Sequence, residues 1–176
     1  MIRGLIMTNQ YPIGKYVIPT NISESDISSW IEVIANLPEQ LRVVLKEVSD
    51  QQLSLQYREG SWDIRTLVHH IADSHLHGYQ RTKLILTEDK PYVSTFEENE
   101  WVLLTGNTNR FDDSVQLITG IHNRWFSILS SLTEVELNRT MQHPDNGVVP
   151  IKQMISLYAW HGKHHLEHIN IALRQE

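Results

Sequence analysis

The sequence predicts an all-α protein, a single four-helix bundle with a long connection between its second and third helices. Three observations carry this: four long stretches with apolar residues every three or four positions, helix-start signals ahead of them, and no convincing run of alternating apolar and polar residues. A chain of 176 residues suits one domain, here residues 21–176 with residues 1–20 as an extended N-terminal arm. The arm is expected because Tyr11-Pro12-Ile13-Gly14 and Pro19 disfavour helix.

The first helix is expected to open at Ser23, with Asp26 three residues on, and to carry Ile27, Ile31, Ile34, Leu41, Val44, Leu45 and Val48, with an interruption near Pro38. Ser49 and Gln52 have the capping-box form, which predicts a short helical turn leading to Tyr57. The second helix is expected over Ser61 to about Thr87, where Ile64, Val68, Ile71, His75, Gly78, Thr82 and Ile85 step by four and three. Residues 88–111, with Pro91, Gly106 and several Asn and Asp, form the long connection, which Phe96 and Trp101 would anchor. Asp113 with Gln116 opens a third helix through Leu132, and Thr133 with Glu136 starts a brief further piece. His143-Pro144-Asp145-Asn146-Gly147 is a turn, and Pro150 suits the first turn of a last helix reaching about Leu173.

Composition narrows the function. The formal charge is −6 without a Lys/Arg run, which argues against a nucleic-acid or anionic-membrane partner. The first ten residues carry one Arg and a brief apolar piece, too short for a secretory h-region and far below a membrane span, so a cytoplasmic protein is expected. There is no cysteine, so a disulfide, a thiolate ligand or a protein thiol nucleophile is excluded. The departure from ordinary composition is ten histidines, eight of them in two groups: His69, His70, His75 and His77, then His161, His164, His165 and His168.

On the last helix Ile151, Met154, Tyr158, His161, His165, His168 and Ala172 follow steps of 3, 4, 3, 4, 3 and 4, the spacing of a core-facing stripe. Burying an imidazole there costs on the order of a few kcal/mol without a hydrogen bond or a metal. His161 and His165, four apart, stack on one helical face and can meet at one ion. A third ligand would come from His69 or His70, which diverge by about 100° on the second helix, and periodicity favours His70 slightly. Three neutral imidazoles suit Zn²⁺, Ni²⁺, Fe²⁺ or Co²⁺ rather than Ca²⁺ or Mg²⁺, and leave a position open for chemistry. The competing reading is a set of solvated histidines on helix faces. His168, one turn further along the stripe, suits core packing, a hydrogen bond to a ligand or substrate contact, whereas His75, His77 and His164 read as structural or solvated.

Several motifs occur in order: Tyr57-Arg58-Glu59-Gly60-Ser61-Trp62, Val68-His69-His70-Ile71-Ala72-Asp73-Ser74-His75 and Tyr158-Ala159-Trp160-His161-Gly162-Lys163-His164-His165-Leu166-Glu167-His168-Ile169, together with Tyr11-Pro12-Ile13-Gly14, Leu86-Thr87-Glu88 and His143-Pro144-Asp145. In these the chain resembles the YfiT family of the DinB-like superfamily over nearly its whole length. Ser61 stands where relatives often carry a second Gly, and Asp63 where Thr is frequent. The resemblance suggests Met7 as the natural start, with residues 1–6 an addition upstream. It implies a four-helix bundle, a homodimer, and a metal held by His70, His161 and His165; with the imidazole chemistry above, the expected cofactor is one divalent transition metal per subunit, Zn²⁺ first and Ni²⁺ next.

The activity it implies is that of a metal-dependent hydrolase acting on a small molecule through a bound water. Two alternatives stand beside it, a metal-dependent transferase joining bacillithiol to electrophilic compounds and a non-catalytic metal-binding helical module. For hydrolysis the candidate general bases are Asp73, one turn beyond His70, and Glu167, between His165 and His168. Arg58, Arg65, Arg81 and Lys163 are cations able to hold the carboxylates of an acidic thiol, with surface ion pairing as their default role.

Overall fold

The computed structural model describes residues 9–105 and 111–175; Met7, residues 1–6 and Gly106 lie outside them. Four long helices form the bundle: α1 (Glu24–Leu45), α2 (Ile64–Thr87), α4 (Phe111–Leu129) and α6 (Ile151–Leu173). Between them lie a 3₁₀ turn (Gln52–Ser54), two short helices, α3 (Glu98–Thr105) and α5 (Glu134–Leu137), and strands β1 (Thr140–His143) and β2 (Gly147–Pro150). Among the described residues no helix is long and apolar enough to cross a membrane.

The helix starts follow local hydrogen-bond chemistry. Ser23 and Asp26 form a reciprocal capping box on α1, and Thr133 and Glu136 do the same on α5. Ser49 and Gln52 satisfy each other's backbone ahead of the 3₁₀ turn. Helix α2 begins later than Ser61, because Asp63 is its cap and accepts from the Thr66 amide at 2.8 Å. Thr is also a preferred N-cap residue, though weaker than Asp, so the exchange has an explanation in helix capping without any role at the site.

Several expectations are corrected. Pro38 does not interrupt α1; it is buried inside a continuous helix. Its missing N–H leaves the Ile34 carbonyl without its helical donor, and His122 Nδ1 on α4 lies 2.5 Å from that oxygen. The third long helix ends at Leu129 rather than Leu132, and Pro150 caps α6 from outside instead of occupying its first turn. The turn at 143–147 joins an antiparallel hairpin, pairing Met141 with Val149, with Gly147 at φ +66°. Two four-residue strands are too short to show alternation. The long connection holds α3, and Phe96 and Trp101 anchor it: Phe96 stacks on His77 at 4.3 Å between ring centres, with Trp101 5.1 Å from the same ring.

Each long helix packs mainly against two others, giving the cyclic order α1, α4, α2, α6. Contacts fix the directions. His69 meets Ser114, His75 meets His122 and Thr82 meets Trp125, so α2 and α4 run parallel. His70 meets His161 whereas Gly78 abuts Tyr158, so α2 and α6 run antiparallel. The long connection is thus a crossover: α4 begins at the end of the bundle where α2 begins, and the two helices run side by side in the same direction. Two apolar clusters fill the ends: one includes Leu37, Leu41, Leu67, Ile118 and Ile169, the other Ile34, Ile85, Trp125, Met154 and Tyr158. On α2, α4 and α6 the histidines His75, His122 and His161 fall between residues of the two clusters, so a polar layer crosses the middle of the bundle.

Helix α2 approaches its neighbours closely at Gly78, where a Cβ would lie 2.5 Å from Trp125 and 2.6 Å from Tyr158. Alanine is the better helix former by about 1 kcal/mol, but two buried rings would have to move, at a cost of about 1–3 kcal/mol. Gly78→Ala is therefore expected to lower the urea midpoint of unfolding; a midpoint at or above the parent's would contradict this packing.

Candidate metal centre

The bundle brings together the three histidines that the spacing and the family motifs single out. His70 on α2 and His161 and His165 on α6 each offer a ring nitrogen, and these atoms lie within 4.8 Å of one another. The His70 and His161 Nε2 atoms face each other at 3.1 Å. The ring centres are separated by 5.1 Å for His70 and His161, 4.8 Å for His70 and His165, and 4.5 Å for His161 and His165. His69 turns the other way, its Nδ1 2.7 Å from Ser114 Oγ on α4.

The trio is held on both sides. Trp62 packs against the His70 ring at 4.7 Å between centres. His161 Nδ1 is 3.1 Å from His75 Nε2, and His75 Nδ1 is 2.9 Å from His122 Nε2. His122 is the residue that the sequence reading overlooked. Its signal was present in the apolar spacing of α4, where it follows Val115 and Ile118 by two turns and one turn on the core face. His75, expected to be structural or solvated, is fully buried in contact with a member of the trio.

A second trio, His164, His165 and His168, also places its nitrogens within 4.8 Å and shares His165 with the first. Its other two rings are engaged. His168 lies flat on Tyr57, 3.7 Å between centres at 8°, with Nε2 3.3 Å from the Gln10 carbonyl. His164 stacks between Trp160 and Tyr11.

Electrostatics favours neutral rings throughout. Burial pushes His70 and His122 down to about 4, and pushes His75, His161 and His165 well below the ordinary 6.5, with neighbouring histidines adding to the effect. His161 and His165 retain some exposed surface, yet their nitrogens lie deep enough for desolvation to dominate. A neutral imidazole has one bare nitrogen, which is the form that binds a metal. These residues fit a transition ion. Two nitrogens about 2.0–2.1 Å from a tetrahedral ion sit roughly 3.3–3.4 Å apart, close to the spacing of the two Nε2 atoms. The set is all imidazole, without the oxygen donors that Ca²⁺ or Mg²⁺ would need.

A hollow of about 320 Å³ opens on His161, bordered by Arg81, Phe96, Glu98, His143 and Tyr158. Tyr158, hydrogen-bonded to Arg81, is pushed up to about 12 by burial and stays protonated. A larger hollow of about 590 Å³ between α1 and the α4–α5 segment contains no histidine and lacks the chemistry of the first. Of the two candidate bases, Glu167 is tied to Arg174 and Asn170 along its own helix. Asp73 keeps a buried Oδ2 without a hydrogen-bond partner among the described residues, and burial raises its pKa.

Residues 34–169 match the sequence profile of the DinB superfamily. The chain belongs to that superfamily. It is 47% identical over 167 residues to a protein of Halalkalibacterium halodurans provisionally named a metal-dependent hydrolase, covering 95% of this chain and 98% of that one. A protein of Oceanobacillus iheyensis with the same provisional name is 39% identical over 163 residues, covering 93% and 95%. Among solved structures, YfiT from Bacillus subtilis, described as a probable metal-dependent hydrolase with an unusual four-helix bundle topology, superposes with a TM-score of 0.90 at 36% identity, covering 95% of this chain and 97% of that one. A mycothiol-dependent maleylpyruvate isomerase shares the fold at a TM-score of 0.65 and 16% identity, covering 84% and 66%.

The neutral state of the buried rings has a consequence for stability. The unfolded chain takes up protons at its histidines near 6.5, whereas the folded rings resist protonation until about 4. Stability is therefore complete above about pH 6.5 and declines as pH falls toward 4, where the unfolded state binds more protons. Thermal unfolding of the metal-free protein across this window is expected to show a steady fall in midpoint; a flat profile would mean that the rings are not buried neutral.

Proposed function

We propose that this protein is a metal-dependent hydrolase of small molecules, with one divalent transition ion, Zn²⁺ in first place and Ni²⁺ next, held by His70, His161 and His165. The observation that carries this reading is the convergence of three neutral imidazoles from two helices beside an open hollow. A bound ion supplies Lewis-acid polarisation of the scissile bond and lowers the pKa of a water toward about 7, or holds a thiol as thiolate. The protein's own contribution is to orient the three rings, to offer Arg81 and Tyr158 as donors at the hollow, and to accept a proton. Asp73 is the assigned proton acceptor: one turn along α2 from His70, its buried carboxylate oxygen has no competing partner among the described residues, and its raised pKa strengthens it as a base.

A second reading, transfer of bacillithiol to an electrophile, draws on the absence of cysteine from the chain and on Arg81 as a cation at the hollow. A non-catalytic module closed by His168 is disfavoured, because the Nε2 of that ring faces the Gln10 carbonyl and its Nδ1 faces His165 Nδ1. The homodimer implied by the family resemblance is part of the proposal, supported by apolar side chains left exposed at Tyr92, Leu103 and Leu104, and sedimentation tests it.

Elemental analysis of untagged protein is expected to find one ion per chain in the parent and a loss of stoichiometric metal in His70→Ala, His161→Ala and His165→Ala, with helix content retained. Full occupancy in all three would reject the site. Asp73→Asn is expected to keep its metal and to lose about 10²–10⁴-fold in turnover of chromogenic esters. Metal-dependent conjugation of bacillithiol without ester hydrolysis would replace the first reading by the second.

A further inference from the structure

Behind the proposed ligands the polar layer has a direction. His122 Nδ1 lies 2.5 Å from the Ile34 carbonyl oxygen, which can only accept, so Nδ1 carries the hydrogen. The ring is neutral, so its Nε2 is bare. His75 Nδ1, 2.9 Å from that bare nitrogen, must donate to it, and the bare Nε2 of His75 then accepts from His161 Nδ1 at 3.1 Å. His161 is left with a bare Nε2, the atom that faces His70. The starting point exists because of Pro38. One helical turn beyond Ile34, it has no N–H to occupy the carbonyl, which is therefore free for a side chain on α4.

A shorter chain of the same kind reaches His165. His168 Nε2 is 3.3 Å from the Gln10 carbonyl and donates to it, so His168 Nδ1 is bare. His165 Nδ1, 3.4 Å away, donates to that nitrogen and keeps its own Nε2 bare.

We propose that His122, His75 and His168 are positioning residues, forming two relays that run from the backbone carbonyls of Ile34 and Gln10 and hold His161 and His165 in the Nδ1–H tautomer with both bare Nε2 atoms available to the ion. The proposal rests on the reading that His161 and His165 are ligands. Histidine ligands generally pass their second ring hydrogen to an acceptor that fixes the ring. Here the acceptors are themselves histidines, and each chain ends on a group that cannot donate.

Long-range ¹H–¹⁵N spectra of the full-length, metal-free protein at pH 8 report which nitrogen of each ring carries hydrogen. The expected pattern is Nδ1–H for His122, His75, His161 and His165 and Nε2–H for His168. Nε2–H at His75 or His161 would overturn the long relay, and Nε2–H at His165 the short one. Zinc affinity, measured by competition with a chelator dye, gives the second readout. His122→Phe keeps a ring in the core but removes the acceptor, so His75 can reverse; zinc binding is expected to weaken about 10–100-fold. His122→Gln places an amide oxygen where it can accept from His75 and is expected to restore most of the affinity. Pro38→Ala alters no histidine, adds an N–H that competes for the Ile34 carbonyl, and is expected to shift affinity in the same direction as His122→Phe. Unchanged His75 and His161 tautomers in both His122→Phe and Pro38→Ala would reject the relay. Failure of the parent to take up zinc would reject the metal reading, while the spectra would still decide the relay.

Discussion

The structure depends on the cost of keeping imidazole inside a helical bundle. His70, His75 and His122 are each 3% exposed or less, at positions where an aliphatic side chain would need no partner. Each ring has two nitrogens to satisfy, and water is largely excluded. The solution is a layer in which His122, His75 and His161 satisfy one another, bounded by the Ile34 carbonyl on one side and by the converging nitrogens of the candidate site on the other, while His70 Nδ1 stays buried without a partner among the described residues. The apolar clusters above and below this layer close the bundle and keep the dielectric low, so the rings stay neutral.

That arrangement links irregularities that look unrelated in one dimension. A proline inside α1 would ordinarily cost a hydrogen bond. Here the freed carbonyl has a donor from another helix, so the irregularity in α1 and the burial of a histidine in α4 compensate each other. The parallel course of α2 and α4, made possible by the long connection, puts His75 beside His122 in register. Gly162 on α6 also marks a close approach: a Cβ there would lie 2.8 Å from a Leu37 methyl, so the Leu37 side chain on α1 would have to shift to admit one.

Much of this was legible in the sequence. The four long helices, the capping boxes at Ser23 and Thr133 and the placement of His161 and His165 on the core-facing stripe all follow from spacing, because helical periodicity is a local property. The choice of His70 over His69 did not follow from spacing alone; the family motifs favoured His70, and the structure shows why the rings part, with His69 drawn to Ser114. What stayed hidden is long-range. Pro38 reads as a helix breaker because nothing local shows that His122 would take up the Ile34 carbonyl. His122 is a single histidine in an otherwise ordinary amphipathic helix, and its partner lies 47 residues earlier in the chain. The hairpin at residues 140–150 was missed for a different reason, since its strands gain their backbone partners partly from the 88–97 segment, where the Val93 amide donates to the Gln142 carbonyl at 3.1 Å.

The central claim is that one ion sits where α2 and α6 converge. Crystals of reconstituted protein measured at the zinc absorption edge test it most directly. The account predicts a single anomalous peak about 2.0–2.1 Å from one nitrogen each of His70, His161 and His165. A peak among His164, His165 and His168, or none at all at full zinc loading, would contradict it.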